Sequence, residues 1–203
     1  MDLMRYCPRC GSALGMKLEG GRERPACLAD GCGFVYFGES SIGCGAVVLR
    51  DDRALLVQRG IEPGKGSWQI PGGYVETDEG IPAAVEREVL EEAGVVARVI
   101  EVVGFRHAAG VQPDRPSSNI YVVFRLDFVS GEPRFDGEET LGVGYFSLEE
   151  MAQMDRVQAL SLWAIRLAMD IRPGSGFVPD GADELARPGW SLFGLPRRNP
   201  EGL

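Results

Sequence analysis

Three glutamates, Glu88, Glu91 and Glu92, stand at i, i+3 and i+4 in the run AAVEREVLEEAGV, so a helix there places all three carboxylates on one face. Val85, Val89 and Ala93 fall on another face, suited to packing. Like charges at this spacing cost an isolated helix about a few tenths of a kcal/mol per pair, so helix propensity does not account for the cluster. A bound cation does. Hard oxygen donors suit Mg²⁺ or Mn²⁺, and Mg²⁺ characteristically keeps several waters while bridging protein carboxylates to substrate phosphates. The competing reading is a solvated acidic face that binds nothing.

A second cluster is built from sulfur. Cys7 and Cys10 are spaced C-x-x-C, Cys27 and Cys32 are spaced C-x-x-x-x-C, and sixteen residues separate the two pairs. Four thiolates at such spacing suit a structural Zn²⁺, because four protein ligands leave no open position for chemistry. A pair of disulfides is the alternative, and a reducing compartment favours zinc over it. Cys44 lies inside an apolar run with no partner in sequence, which predicts a small buried hydrophobe.

The surroundings of the glutamates carry a longer pattern. Gly73, five residues, Glu79, seven residues, then Arg87-Glu88-Val89-Leu90-Glu91-Glu92-Ala93-Gly94-Val95 strongly resembles the Nudix box. The resemblance implies that Glu88, Glu91 and Glu92 are metal ligands, that the Gly73 carbonyl joins the metal shell, and that Arg87 pairs with Glu79 to orient the site. It also implies in-line displacement at phosphorus, with metals polarising the phosphoryl oxygens and acidifying the attacking water. A general base comes from the box or from a later loop. In GEETLGVGYF the family pattern points to Glu139, with Glu138 beside it, although a solvated loop pair explains these residues equally well. Relatives of the NADH and ADP-ribose pyrophosphatases also begin with a zinc ribbon, so the resemblance covers roughly residues 5–170.

These residues need elements to hold them. IGCGAVVL (42–49), ALLVQR (54–59), VIEVVGF (99–105) and IYVVFRLDFV (120–129) read as strands. A helix is expected from about Gly80 to Ala93, with Pro82 in its first turn and Gly94 as its stop, and a second from about Asp155 to Met169. Strands alternating with helices give an α/β class. The resemblance makes this the Nudix α/β/α sandwich with a mixed sheet, preceded by a small zinc ribbon. Three segments are expected: a ribbon over 1–37, a hydrolase domain over 38–170, and a Gly/Pro-rich tail over 171–203. The tail is either disordered or docked through Trp190, Leu192, Phe193 and Leu195.

The 203 residues carry a formal charge of −9, of which about −10 falls on 38–170 and about +1 on 1–37. An acidic central domain repels a nucleic-acid backbone and suits phosphate chemistry run through divalent cations. The ribbon, with Tyr6, Phe34, Tyr36 and Phe37 as its aromatics, makes a weak nucleic-acid reader and reads instead as a packing or homodimerisation module. His107 is the only histidine, which excludes two-histidine mechanisms. It reads as a surface or packing residue, and Trp68 as core. No apolar run approaches the roughly 18 residues of a membrane span, and the first residues show no secretory signal, so a cytoplasmic protein is expected.

The expected substrate is a nucleotide: a nucleoside diphosphate linked to another group, such as ADP-ribose, FAD or NADH. A nucleoside triphosphate cleaved to monophosphate and pyrophosphate is the alternative. A catalytically silent sensor or ribbon-based interaction protein is a third, which the intact glutamates and Arg87 argue against. No SQPWPF-like segment follows the box, and the proline that marks ADP-ribose hydrolases is matched inexactly by Pro113 and Pro116. Specificity must come from loops, with residues 106–119 offering Arg106, His107, Gln112, Arg115, Ser117, Ser118 and Asn119. Arg59 and Arg106 end predicted strands and carry charge suited to an anion.

Overall fold

The computed structural model describes residues 4–110, 117–180 and 190–196. Two compact units emerge: Met1–Ser41 with His107–Ile120, and Ile42–Arg106 with Tyr121–Leu203.

The first unit holds a hairpin of β1 (Leu14–Glu19) and β2 (Arg22–Cys27), paired antiparallel in register from Leu14↔Cys27 to Glu19↔Arg22. Neither strand was legible in the apolar pattern, because LGMKLE and RERPAC have no alternating core to bury. Asn119 donates to the Ser41 hydroxyl (3.0 Å), and the hydroxyls of Ser40 and Ser118 lie 3.1 Å apart. Ser117, Ser118 and Asn119 therefore begin a strand rather than belonging to a loop, and Gln112, Pro113, Arg115 and Pro116 lie outside the described residues.

The main sheet follows the order β5 (Trp68–Gln69), β4 (Arg53–Arg59), β3 (Glu39–Arg50), β8 (Ser117–Ser130), β7 (Val96–Ala109). β6 (Gly72–Tyr74) pairs with the early part of β3, and β9 (Thr140–Phe146) pairs with β4. Period-two alternation sorts the side chains into two cores. Cys44, Ala46, Val48, Leu55, Val57, Phe124 and Leu126 face α1 (Ile81–Ala93), which contributes Ala84, Val85, Val89 and Ala93. On the opposite face Val47, Ala54, Leu56 and Val123 meet Ala164, Ile165 and Ala168 of α3 (Ala159–Asp170). A mixed sheet between two helical layers is the α/β/α sandwich that the pattern implied.

The second expected helix starts later than its apolar pattern suggests. Residues 148–151 form the short α2 (Leu148–Met151), whose capping box joins Ser147 and Glu150. Arg156 then takes a left-handed φ of 60° and Val157 bridges to Trp68, so helix resumes only at Ala159. Past α3 the described parts of the tail, 171–180 and 190–196, are docked in part. The buried carboxylate of Glu101 accepts from the backbone N–H of Gly174 (3.1 Å) and Gly176 (2.5 Å), and Phe177 bridges to Val102. β10 (Val178–Pro179) pairs with β11 (Phe193–Gly194), where Phe193 packs edge-on to Phe124 with centroids 5.6 Å apart. Trp190 and Leu195 remain exposed, so one of the four apolar residues expected to anchor the tail reaches the α1-side core.

Candidate active site and cysteine centre

The site forms where β6 runs into α1. Gly72 has φ 153°, and a Cβ there would lie 2.1 Å from the Cys44 carbonyl oxygen and 2.7 Å from the Tyr121 hydroxyl. No other residue fits that approach. Its N–H donates to Glu92 Oε2 at 2.9 Å, tying the turn to the helix. At Gly73 a Cβ would meet Glu88 Oε1 at 2.6 Å, so the missing side chain leaves the Gly73 backbone open to that carboxylate.

Arg87 organises the carboxylates. Its Nε and Nη2 donate to the two oxygens of Glu79 at 3.1 and 2.7 Å, the bidentate geometry a planar guanidinium favours. Its Nη1 donates to Glu88 (2.9 Å) and Glu91 (2.8 Å), and Nη2 also reaches the Tyr74 carbonyl (3.3 Å). These hydrogen bonds, that to Glu79 foremost, hold Arg87 still more firmly protonated and push Glu79 below its ordinary pKa.

Glu88 and Glu92 behave oppositely to Glu79. Burial raises the Glu88 pKa, outweighing the Arg87 contacts, and burial pushes Glu92 up to about 7, with the neighbouring charges of Glu88 and Glu139 adding to the effect. Two desolvated carboxylates that repel each other are a poor resting arrangement and a good one for a divalent cation, whose charge reverses the penalty. Together with the open Gly73 backbone, this donor set fits Mg²⁺ or Mn²⁺. Glu91 stays more exposed and turned to Arg87. The glutamates do not draw three oxygens within 4.8 Å of one another; among the described residues the cysteines alone form such a group.

Glu139 lies on the turn before β9, close enough to raise the Glu88 and Glu92 pKa values through its charge. Arg59 counters that effect at Glu92, and Arg106 lies over the Tyr121 ring at 5.8 Å. Trp68 packs edge-on against Phe146 as a core residue, with centroids 5.1 Å apart, and His107 is exposed. Cys44 is fully buried, its thiol pushed up to about 12 by desolvation.

A model of the NUDIX domain matches residues 40–163. The chain belongs to the Nudix family. An ADP-ribose pyrophosphatase of Methanocaldococcus jannaschii is 30% identical over 116 residues, covering 56% of this chain and 66% of that protein. An NAD-capped RNA hydrolase, NudC, of Yersinia enterocolitica is 29% identical over 147 residues, covering 72% of this chain and 52% of that protein. The chain thus spans about two thirds of the first relative's length and about half of the second's. In fold it is similar to a Nudix hydrolase from Nitrosomonas europaea, with a TM-score of 0.67 at 22% identity, over 82% of this chain and 92% of that one. No helix among the described residues is long and apolar enough to cross a membrane.

This Nudix protein's cysteines gather as a separate centre. All four Sγ atoms lie within 4.8 Å of one another, with Cys7 to Cys32 at 3.6 Å and Cys10 to Cys27 at 3.4 Å. A disulfide needs about 2.05 Å. Sulfurs at about 2.3 Å from a tetrahedral zinc stand roughly 3.8 Å apart, close to these values. The four cysteines are free thiols: hydrogen bonds from Ser12 lower the Cys10 pKa to about 6, while burial and the neighbouring thiols outweigh backbone hydrogen bonds at Ala29 and Phe34 to push Cys27 up to about 12 and to raise Cys32. The cluster is able to hold a metal ion.

Sequence reasoning missed the residues that fix the second carboxylate loop. Asp136 accepts from the N–H of Glu138 and Thr140, at 2.9 Å each, and these bonds hold its pKa below the ordinary carboxylate value. The signal was present in DGEET, an Asp followed by Gly that favours a side-chain-closed turn.

Proposed function

We propose that the protein is a Mg²⁺-dependent pyrophosphohydrolase, with Mn²⁺ able to substitute. It acts on a nucleoside diphosphate linked to another group and releases a nucleoside monophosphate. One observation carries the reading: a single guanidinium, Arg87, gathers Glu79, Glu88 and Glu91, while Glu88 and Glu92 are held desolvated beside the Gly72–Gly73 turn. A silent nucleotide sensor has no use for so costly an arrangement.

Glu88, Glu91, Glu92 and the Gly73 carbonyl would hold the metal, which when bound neutralises diphosphate charge and makes a nearby water more acidic. Arg87 orients the carboxylates and takes no part in bond making. Glu139 accepts the proton of the attacking water. The new oxygen–phosphorus bond forms as the bridging phosphorus–oxygen bond breaks in line, giving two phosphate monoesters and no covalent enzyme intermediate. The ribbon cysteines Cys7, Cys10, Cys27 and Cys32 hold a structural Zn²⁺.

The relatives' names, an ADP-ribose pyrophosphatase and an NAD-capped RNA hydrolase, support the linked-diphosphate class and leave ADP-ribose, FAD and NADH as candidates. Hydrolysis of ADP-ribose, FAD, NADH and the nucleoside triphosphates in H₂¹⁸O tests this. AMP released from a dinucleotide or ADP-sugar at the highest kcat/KM supports the proposal, and the label shows which phosphorus is attacked. Pyrophosphate released from a triphosphate at a higher kcat/KM than any of these overturns the substrate class.

A further inference from the structure

We propose that Asp136 and Thr140 are positioning residues. The turn they close, latched to the last turn of α1 at the Glu92 carbonyl, holds Glu139 over the reacting centre. The inference rests on the base role given to Glu139 above.

The latch is made of named bonds. Thr140 is fully buried. Its hydroxyl lies 3.3 Å from the Glu92 carbonyl oxygen and 3.2 Å from Asp136 Oδ1, and the Asp136 N–H donates to it at 3.4 Å. The same Oδ1 accepts from the N–H of Glu138 and Thr140, and the Gly137 N–H donates to the Thr140 carbonyl at 2.9 Å. The helix supplies the reason for the attachment point. α1 ends at Ala93, so the carbonyls of its last turn have no intrahelical donor. Residues on either side of the turn reach two of them, Arg134 N–H at the Ala93 carbonyl (2.8 Å) and the Thr140 hydroxyl, whose one proton is shared with Asp136 Oδ1, at that of Glu92.

The opposite side of the turn is gripped as well. Gly60 N–H donates to the Glu139 carbonyl at 2.7 Å, and a Cβ on Gly60 would fall 2.3 Å from the Glu138 carbonyl oxygen. Backbone at 138–140 is therefore fixed between β4 and α1. The anchoring carbonyl belongs to Glu92, so the carboxylate loop and the ligand helix are indexed to one residue. Displacement of a reacting group by about 1 Å can cost about a hundredfold in rate, which makes such indexing worth building.

A helix cap alone would explain the bonds but not a coupling to Glu139, and a double-mutant cycle separates the two. The full chain is assayed with ADP-ribose and Mg²⁺ as wild type, Thr140→Val, Thr140→Ser, Asp136→Asn, Glu139→Gln and Thr140→Val with Glu139→Gln. Thr140→Val is expected to lower kcat at least about tenfold with KM within about twofold, Thr140→Ser to recover most of the loss, and Asp136→Asn to act in the same direction. The double variant should turn over no more slowly than Glu139→Gln alone, because the latch acts only through that carboxylate. A Thr140→Val protein with a lowered Tm but wild-type kcat overturns the proposal. Fully multiplicative losses in the double variant do the same. Should Thr140→Val not fold, the exposed Asp136→Asn site carries the same cycle. Wild-type kcat in Glu139→Gln removes the base reading and the latch's catalytic role together, whereas failure of the latch alone leaves the Glu139→Gln defect in place.

Discussion

Two clusters of potential metal-binding side chains in this chain differ in how closely their donor atoms gather. The cysteine set is gathered, four sulfurs within 4.8 Å of one another and spaced near the edge of a zinc tetrahedron. The glutamate set is held apart: Glu88 and Glu91 are turned to Arg87, and Glu92 to the Gly72 N–H. A ligand set whose task is structural gains by converging, since binding energy there is folding energy. One that must admit a substrate phosphate gains by keeping its carboxylates on other partners until cation and diphosphate arrive together. At the glutamates the protein's own hydrogen bonds hold the carboxylates apart, whereas at the cysteines the contacts include the other sulfurs of the set.

The sharpest way to break the comparison is to delete one charge from each set. Glu92→Gln or Glu91→Gln should lower kcat at least about a hundredfold at saturating Mg²⁺ with the circular dichroism spectrum unchanged, because the amide keeps the volume and loses the anionic ligand. Wild-type turnover in the double Gln variant would make the cluster a solvated face. At the ribbon the effect should fall on structure instead. The protein is expected to carry about one Zn²⁺ per chain, and Cys7→Ser with Cys10→Ser should lose it together with the β1–β2 hairpin while the buried sheet cores persist. Metal analysis that finds no zinc, or disulfide-linked Cys7 and Cys10 under reducing conditions, would remove the zinc reading.

How much of this was legible in the sequence follows the same division. Local spacing set the helical face of Glu88, Glu91 and Glu92, the Pro82 start and the Gly94 stop, and β-branched, apolar runs found β3, β4, β7 and β8. The ribbon hairpin and the short strands β5, β6 and β11, of two or three residues each, carry too little apolar periodicity to be seen. Contacts between segments distant in the chain were also hidden. Spacing says nothing of Tyr121 lying against Gly45 and Gly72, of Gly60 hydrogen-bonding Glu139, or of Glu101 clamping the chain at Gly174 and Gly176. The Glu139 loop was found by resemblance, and the residues that hold it only by structure.

The smallest predicted effect reverses the sign of the largest. Burial raises Glu92 to about 7 and raises Glu88 as well, so the folded protein favours their neutral forms. A carboxyl whose folded pKa is raised contributes stability that is present below its unfolded pKa, near 4.3, and lost as pH rises through the folded value. Protein dialysed free of Mg²⁺, with the ribbon metal left in place, should therefore melt lower at pH 8.5 than at pH 5.5. The lowered pKa values of Glu79, Asp136 and Glu150 act in the opposite sense, but their contributions are lost only at pH below that window. Glu92→Gln keeps an acceptor for the Gly72 N–H and removes the desolvated charge. It should raise the Mg²⁺-free Tm at pH 8.5 by several degrees, at roughly 2–4 °C per kcal/mol for a chain of this length, and by about half as much at pH 5.5, where the unfolded carboxyl is already ionised and the folded one is still neutral. Comparing the two proteins cancels whatever the ribbon thiols contribute. Saturating Mg²⁺ should close the gap by stabilising the wild type, since the charge that destabilises the empty site is the charge that binds. Equal melting of the two proteins at pH 8.5 without Mg²⁺ would mean that Glu92 rests in no strained state, and the contrast between a finished ribbon and a waiting active site would fail at its most buried ligand.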